Sequence, residues 1–301
     1  MPHLSCRGLG THYQQAGSAG APDVVLVHAV TSNLAVWMFI GLLDTLGQEF
    51  RVTAYDLRGH GLTETPPDGY TSADLAEDFA ALHEALQLGP AYLVGHSFGG
   101  VVALEAALRY PDRVKGVIVA DSYFPGLAAF EPNLPDASVW LDLRGVFGAA
   151  GLELGPRVDF ETLFEVVARL TPEQRKVIHK QMGPASARWL AGLPRLADTT
   201  CGRDLFAVAG LTAQRICSVT QPVVALYDEY SPFLATCRFL EENLADCTVD
   251  MVPGAKHLAP VQNPTGFVER VQKHLRQLRD RASHSSQPLT VHLAAAPPEA
   301  P

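Results

Sequence analysis

Six strand-length apolar runs, each closed by turn residues, recur along this chain: Val24–His28, Val52–Tyr55, Ala91–Val94, Val114–Ala120, Val223–Tyr227 and Cys247–Val252. Most are rich in valine. A short run with no polar alternation suits a strand buried on both faces, as in a parallel sheet. Helical patterns lie between these runs. Ser72–Leu86 carries Leu75, Phe79, Leu82 and Leu86 on one i, i+4, i+7, i+11 stripe. Phe98–Arg109 is rich in Ala, Leu and Val and stops at Tyr110-Pro111, and Pro232–Asn243 and Pro264–Arg281 add two more. Strand and helix in alternation predict an α/β chain, a doubly wound and mostly parallel sheet with helices on both faces. Residues Gly10–Gln15 are expected to add an antiparallel strand.

The alternation stops between about Pro125 and Val219. That stretch reads as helix: Phe160, Leu163, Phe164, Val167 and Leu170 form one stripe, and Thr171-Pro172-Glu173 has the form of an N-cap followed by Pro at N1. Helix without strand, set between two strands, predicts an inserted helical cap. The expected organisation is therefore a core over 1–124, a cap over 125–218, the rest of the core over 219–281, and a disordered tail over 282–301, where the text SHSSQPLTVHLAAAPPEAP lacks periodicity.

The 301 residues suffice for one large domain carrying such an insertion, and 47% of them are hydrophobic. The formal charge is −9 with no basic run, which argues against nucleic acid or an anionic membrane as partner. The first residues contain no apolar signal core, and no apolar stretch approaches the ~20 residues of a membrane span. Cys6, Cys201, Cys217, Cys237 and Cys247 are odd in number and form no CxxC pair, so free thiols and a cytoplasmic location are expected, with no metal.

The run LVGHSFGG joins a buried strand to a helix and sets Ser97 at the join, between Gly95 and Gly99. A tight strand-to-helix turn needs small flanking residues, and it aims the serine and the helix N-terminus at whatever binds there. A serine hydroxyl is a weak nucleophile and needs a base. His257, in the Gly/Pro-bounded loop VPGAKHLAP after the last strand, has the right address, because sites form at the carboxyl ends of parallel strands. The other histidines read as structural: His28 bracing the loop after its strand, His60 holding a turn, His96 packing beside the serine, and His83, His179 and His274 on helix surfaces.

Four segments in this order resemble the α/β-hydrolase fold family: LVHAVTSNLAVW as the oxyanion segment, YDLRGHGLTETP as a D-x-R-G-x-G-x-S turn with Thr63 for Ser, LVGHSFGG as the nucleophile elbow, and VPGAKHLAP as the histidine loop. The resemblance covers about residues 10–281. It implies Ser-His chemistry, with an oxyanion hole formed by the backbone N–H of Phe98 and that of Ala29 or Val30, although Ala29 stands where the family has glycine. In the register where the family carries its acid after the strand PVVALY, this chain has Ser231; Asp228 and Glu229 are near but out of register. Asp121, at the end of the strand VKGVIVA, occupies a position that some members of the family use, and is taken as the acid, with Asp228 or Glu229 as the runner-up. A serine at the elbow disfavours dehalogenase and epoxide hydrolase chemistry.

The expected function is a cofactor-free serine hydrolase acting on a small-molecule carboxylic ester or lactone, with a bulky cyclic ester such as a macrolide-type lactone as one substrate. Phe124, Trp140 and Trp189 are taken as substrate-binding residues, beside the other aromatics Phe130 and Phe147, against the alternative that all are the cap's own core. Carbon–carbon bond hydrolase, thioesterase, amidase and cofactor-free haloperoxidase use the same triad. A receptor without turnover on this fold is the alternative from another class.

Overall fold

The computed structural model of the chain describes residues 2–131, 134, 138–183 and 186–285. Eight strands form one sheet: β1 (His3–Cys6), β2 (Leu9–Ala16), β3 (Asp23–Val27), β4 (Arg51–Tyr55), β5 (Ala91–His96), β6 (Val114–Ala120), β7 (Val223–Asp228) and β8 (Cys247–Val252). Their order is β1-β2-β4-β3-β5-β6-β7-β8. The first two strands run antiparallel to their neighbours, and β4 to β8 are parallel throughout. The antiparallel edge strand expected at Gly10–Gln15 is β2; β1, too short and polar to announce itself, pairs outside it.

Alternate residues of each strand feed two cores. Val25, Val27, Leu93, Val117 and Val119 face helices α3 (Ser72–Ala85), α4 (Phe98–Arg109) and α11 (Leu234–Asn243). Val24, Leu26, Val94, Ile118 and Ala120 face α1 (Ala35–Phe39), α2 (Leu42–Gly47) and α13 (Pro264–Ser285). Burial on both faces is what the uninterrupted valine runs encode. The short α12 (Ala259–Gln262) follows the histidine loop. Helix α13 runs to Ser285, four residues into the stretch expected to be a tail; residues 286–301 lie outside the described residues.

Between β6 and β7 the described chain is helical: α5 (Ser138–Ala149), α6 (Phe160–Ala168), α7 (Pro172–Met182), α8 (Ser186–Gly192), α9 (Cys201–Asp204) and α10 (Ala213–Ile216). Helix α7 begins as the sequence predicts, with Thr171 and Gln174 in a reciprocal capping box and Pro172 at N1. The α6 stripe, with Trp140, Phe147, Ile178 and Leu190, makes a third core cluster. Val30 of the loop after β3 and Phe98 of α4 pack against that cluster, so the helices roof the carboxyl ends of β3 and β5.

Two histidines expected on helix surfaces are buried. His83 closes the end of α3 through Nε2 on Gly89 O at 2.9 Å, and His274 reaches Asp250 on β8 at 2.7 Å. Burying the imidazole covers the last turn of one helix and docks the other onto the sheet; only His179 of the three is exposed.

Candidate active site

The site lies where the sheet order reverses. After β3 the chain builds outward to β4, and then returns to the other side of β3 with β5, so the loops after β3 and β5 leave the sheet in opposite directions at the strands' carboxyl ends, the place where sites form in such sheets. Ser97 stands there at φ 54°, ψ −123°, a backbone that L-residues rarely adopt. Its neighbours make the turn possible. A Cβ on Gly95 would come 2.2 Å from Gly99 O, and one on Gly99 2.2 Å from Val27 O, so β5, α4 and β3 meet at distances only glycine allows.

Three side chains from separate strand ends join in line. Ser97 Oγ lies 3.1 Å from His257 Nε2, and His257 Nδ1 lies 2.6 Å from Asp121 Oδ2. In this network Nδ1–H donates to the carboxylate and Nε2 accepts the serine proton. Asp121 is buried and itself sits at positive φ, 46°, just past β6, while its N–H still donates to Leu226 O of β7 at 2.9 Å. That left-handed step turns the carboxylate from the sheet toward the imidazole. The ring of Phe233 stands edge-on to His257, 5.1 Å between centroids.

The other acidic candidates lie elsewhere. Glu229 is exposed and accepts Gly254 N–H at 2.8 Å, away from the imidazole. Ser231, in the register of the missing acid, accepts Phe233 N–H at 2.9 Å and caps its own turn. Asp228 is buried beside the triad without touching His257 directly: its N–H donates to Asp121 Oδ1 at 3.0 Å, and its Oδ2 accepts Ala259 N–H at 3.0 Å. Burial and the Asp121 charge push its carboxyl up to about 7.

The loop after β3 is held by the turn after β4. His28 donates from Nδ1 to Ala29 O at 2.8 Å and accepts Leu57 N–H at Nε2, 3.0 Å. His60 donates to Arg58 O at 2.8 Å and accepts Thr31 N–H at 3.1 Å. Asp56 accepts Leu34 N–H at 2.7 Å and Leu62 N–H at 2.9 Å, and lies 2.6 Å from the buried His12. Thr63, where the resembling motif has Ser, donates to Asp56 O at 2.8 Å and accepts His12 N–H at 2.9 Å, so the hydroxyl survives the exchange. Burial, joined by the neighbouring His28, lowers His60 to about 3, which keeps it neutral and its Nε2 an acceptor. These bonds tie the loop that carries Ala29 and Val30 to the turn after β4. Phe98 is the first residue of α4, so its N–H has no acceptor within the helix.

His96, at the end of β5, donates to His257 O at 2.8 Å; burial, and after it the neighbouring His257, lowers it to about 4. It is thus a neutral donor holding the histidine loop. Sequence reading did not single out this bond, nor the brace formed by Asp228, because both join residues far apart in the chain.

The aromatic candidates divide. Phe124 is fully buried in the core on the α4 side of the sheet, and Trp140 is buried in the core of the helices. Trp189 is half-buried and meets Phe147 edge-on at 6.4 Å. Two surface grooves lie away from the serine, one of about 540 Å³ beside Arg7, Arg58 and Glu64 and one of about 320 Å³ between Phe130 and Arg238. Among the described residues no helix is long and apolar enough to cross a membrane, and no three His, Cys, Asp or Glu side chains converge as metal ligands.

Residues 22–170 match the family model described as the alpha/beta hydrolase fold. The chain is 32% identical to a 2-(acetamidomethylene)succinate hydrolase of Mesorhizobium japonicum over 257 residues, 81% of this chain and 84% of the relative. It is 30% identical to 3-oxoadipate enol-lactonase 2 of Acinetobacter baylyi over 275 residues, 90% and 96% of the two. The crystal structure of the enol-lactonase from Burkholderia xenovorans LB400 superposes with a TM-score of 0.66 at 20% identity, over 91% of this chain and all of that one.

Proposed function

This chain belongs to the alpha/beta hydrolase fold family, and from that membership we propose that it is a serine hydrolase cleaving a small-molecule carboxylic ester or lactone through an acyl-enzyme. The observation that carries the proposal is the unbroken line Ser97–His257–Asp121, with the serine on a strained elbow. Ser97 Oγ attacks the carbonyl carbon as its proton passes to His257 Nε2. Asp121 holds Nδ1–H and balances the imidazolium charge. The N–H groups of Phe98 and of Ala29 or Val30 receive the oxyanion; donors fixed in this way are worth about 3–4 kcal/mol each to the transition state. The imidazolium then gives its proton to the leaving oxygen. Water enters by the same path in reverse, His257 taking its proton, and releases the acid.

Ester or lactone is the substrate class because the enol-lactonase matches over nearly its whole length. The Mesorhizobium relative, named for an acetamido-bearing succinate, favours a second reading, the same triad acting on an acetamido compound. A fluorophosphonate probe followed by peptide mass spectrometry, beside turnover of nitrophenyl esters, lactones and N-acetyl compounds, tests both. Label on Ser97 and turnover, both absent in Ser97→Ala, is the expected result. A folded protein that takes no label and turns nothing over would sink the proposal and leave a ligand receptor.

A further inference from the structure

Among the described residues, Asp228 is the buried acid beside the triad that the mechanism does not use. It ends β7, between the strand end that carries Asp121 and the loop that carries His257. Its two groups do different work. The backbone N–H occupies Asp121 Oδ1, leaving Oδ2 for the imidazole. The side-chain Oδ2 occupies Ala259 N–H, two residues past His257 at the start of α12. His96 grips the carbonyl of His257 from the opposite side. The histidine loop is therefore clamped on both flanks, by a neutral imidazole and by a carboxyl group.

Resting on the serine-hydrolase reading, we propose that Asp228 is a positioning residue that aligns both Asp121 and His257, and that its own ionisation is coupled to that of the histidine. The titratable groups facing it are Asp121 from the end of β6, His257 from the loop, and His96 behind that loop; Glu229 is turned to Gly254, and Lys256 is exposed. A second carboxylate in one buried site resists ionising while Asp121 is charged, and yields its proton more readily when His257 gains one. The raised carboxyl described above agrees with this arrangement. Protonation of His257 and loss of a proton from Asp228 thus favour each other, and the acid side of the rate profile spreads over a wider span than one group gives.

Asp228→Asn and Asp228→Ala separate the roles. In the alanine variant Ala259 N–H loses its acceptor, and kcat should fall about 10-fold with KM little changed. Asparagine still accepts that bond and should recover most of the loss, yet its acid limb should steepen to one ionisation and move down by roughly 0.5–1 pH unit. A readout independent of catalysis follows. A carboxyl group raised in the folded state stabilises below its unfolded value and loses that contribution as pH rises toward 7. The Tm of Asp228→Asn should therefore gain on the parent from pH 5 to pH 8, by roughly 3–6 °C. If both variants lose kcat equally with an unmoved acid limb, or if the Tm difference is the same at both pH values, the coupling is overturned. If the parent takes no label at Ser97 and shows no turnover, the hydrolase reading fails, and the Tm comparison alone decides whether Asp228 carries the proton.

Discussion

At the scale of single residues, the assignment of the acid turns on where a carboxylate meets Nδ1 of the histidine. Asp121 Oδ2 does so at 2.6 Å from a buried, left-handed position. Asp121→Asn should therefore lower kcat by roughly 10³–10⁴-fold, because an amide stabilises the wrong tautomer and leaves the imidazolium unbalanced. Glu229→Gln, whose carboxylate faces Gly254, should stay within two-fold. Initial rates on a nitrophenyl ester at saturating concentration check both, and the reverse ranking would return the acid to the loop after β7. Asp121 was legible in the sequence because an acid directly after a buried strand has a fixed address at the sheet's carboxyl edge. Asp228 was weighed only as a rival acid. Its bond to Ala259 depends on how two loops meet, which no local pattern encodes.

At the scale of elements, the elbow shows how glycine spacing becomes geometry. Gly99 lets α4 start against the end of β3, and any Cβ there would overlap Val27 O. Its nearest neighbours, Val27 O and His28 O, are backbone atoms, so neither can swing aside. Gly99→Ala should cost about 1–3 kcal/mol of stability through forced backbone shifts, and should also displace Ser97 and the Phe98 N–H. A lower Tm together with slower fluorophosphonate labelling is the expected pair; unaltered labelling would mean that the turn relaxes without moving the serine. The strands were legible for a related reason: valine on successive positions has no solvent face, and the two cores divide those residues alternately. His83 and His274 were not, since a helical histidine reads as polar until its partner, Gly89 O or Asp250, is brought to it by the fold.

At the scale of the whole molecule, the question is how the helices over the sheet communicate with the site beneath. Arg195, between α8 and α9, donates to Gly61 O and Thr65 Oγ1 at 2.8 Å and to Thr63 O, and so spans some 130 residues of sequence to grip the turn after β4. Nearby, Asp204 accepts Tyr70 N–H at 3.2 Å and Thr200 donates to Pro67 O at 2.9 Å. That same turn carries His60, whose Nε2 holds Thr31 in the loop after β3. Nothing in the local sequence distinguishes Arg195 from a solvated arginine, and its role follows only from docking. Arg195→Met keeps the aliphatic stem and removes the donors, leaving three acceptors to find water. The join should weaken by about 1–3 kcal/mol, protease cleavage within residues 138–216 should quicken, and kcat should fall several-fold as the Thr31 strut loosens. Limited proteolysis with mapped cut sites, run beside ester turnover, reads both effects on one sample. Faster cleavage with unchanged kcat would mean that the helices dock through Arg195 but do not tension the loop after β3; unchanged cleavage would mean that the apolar contacts of Val30 and Phe98 hold the roof without it.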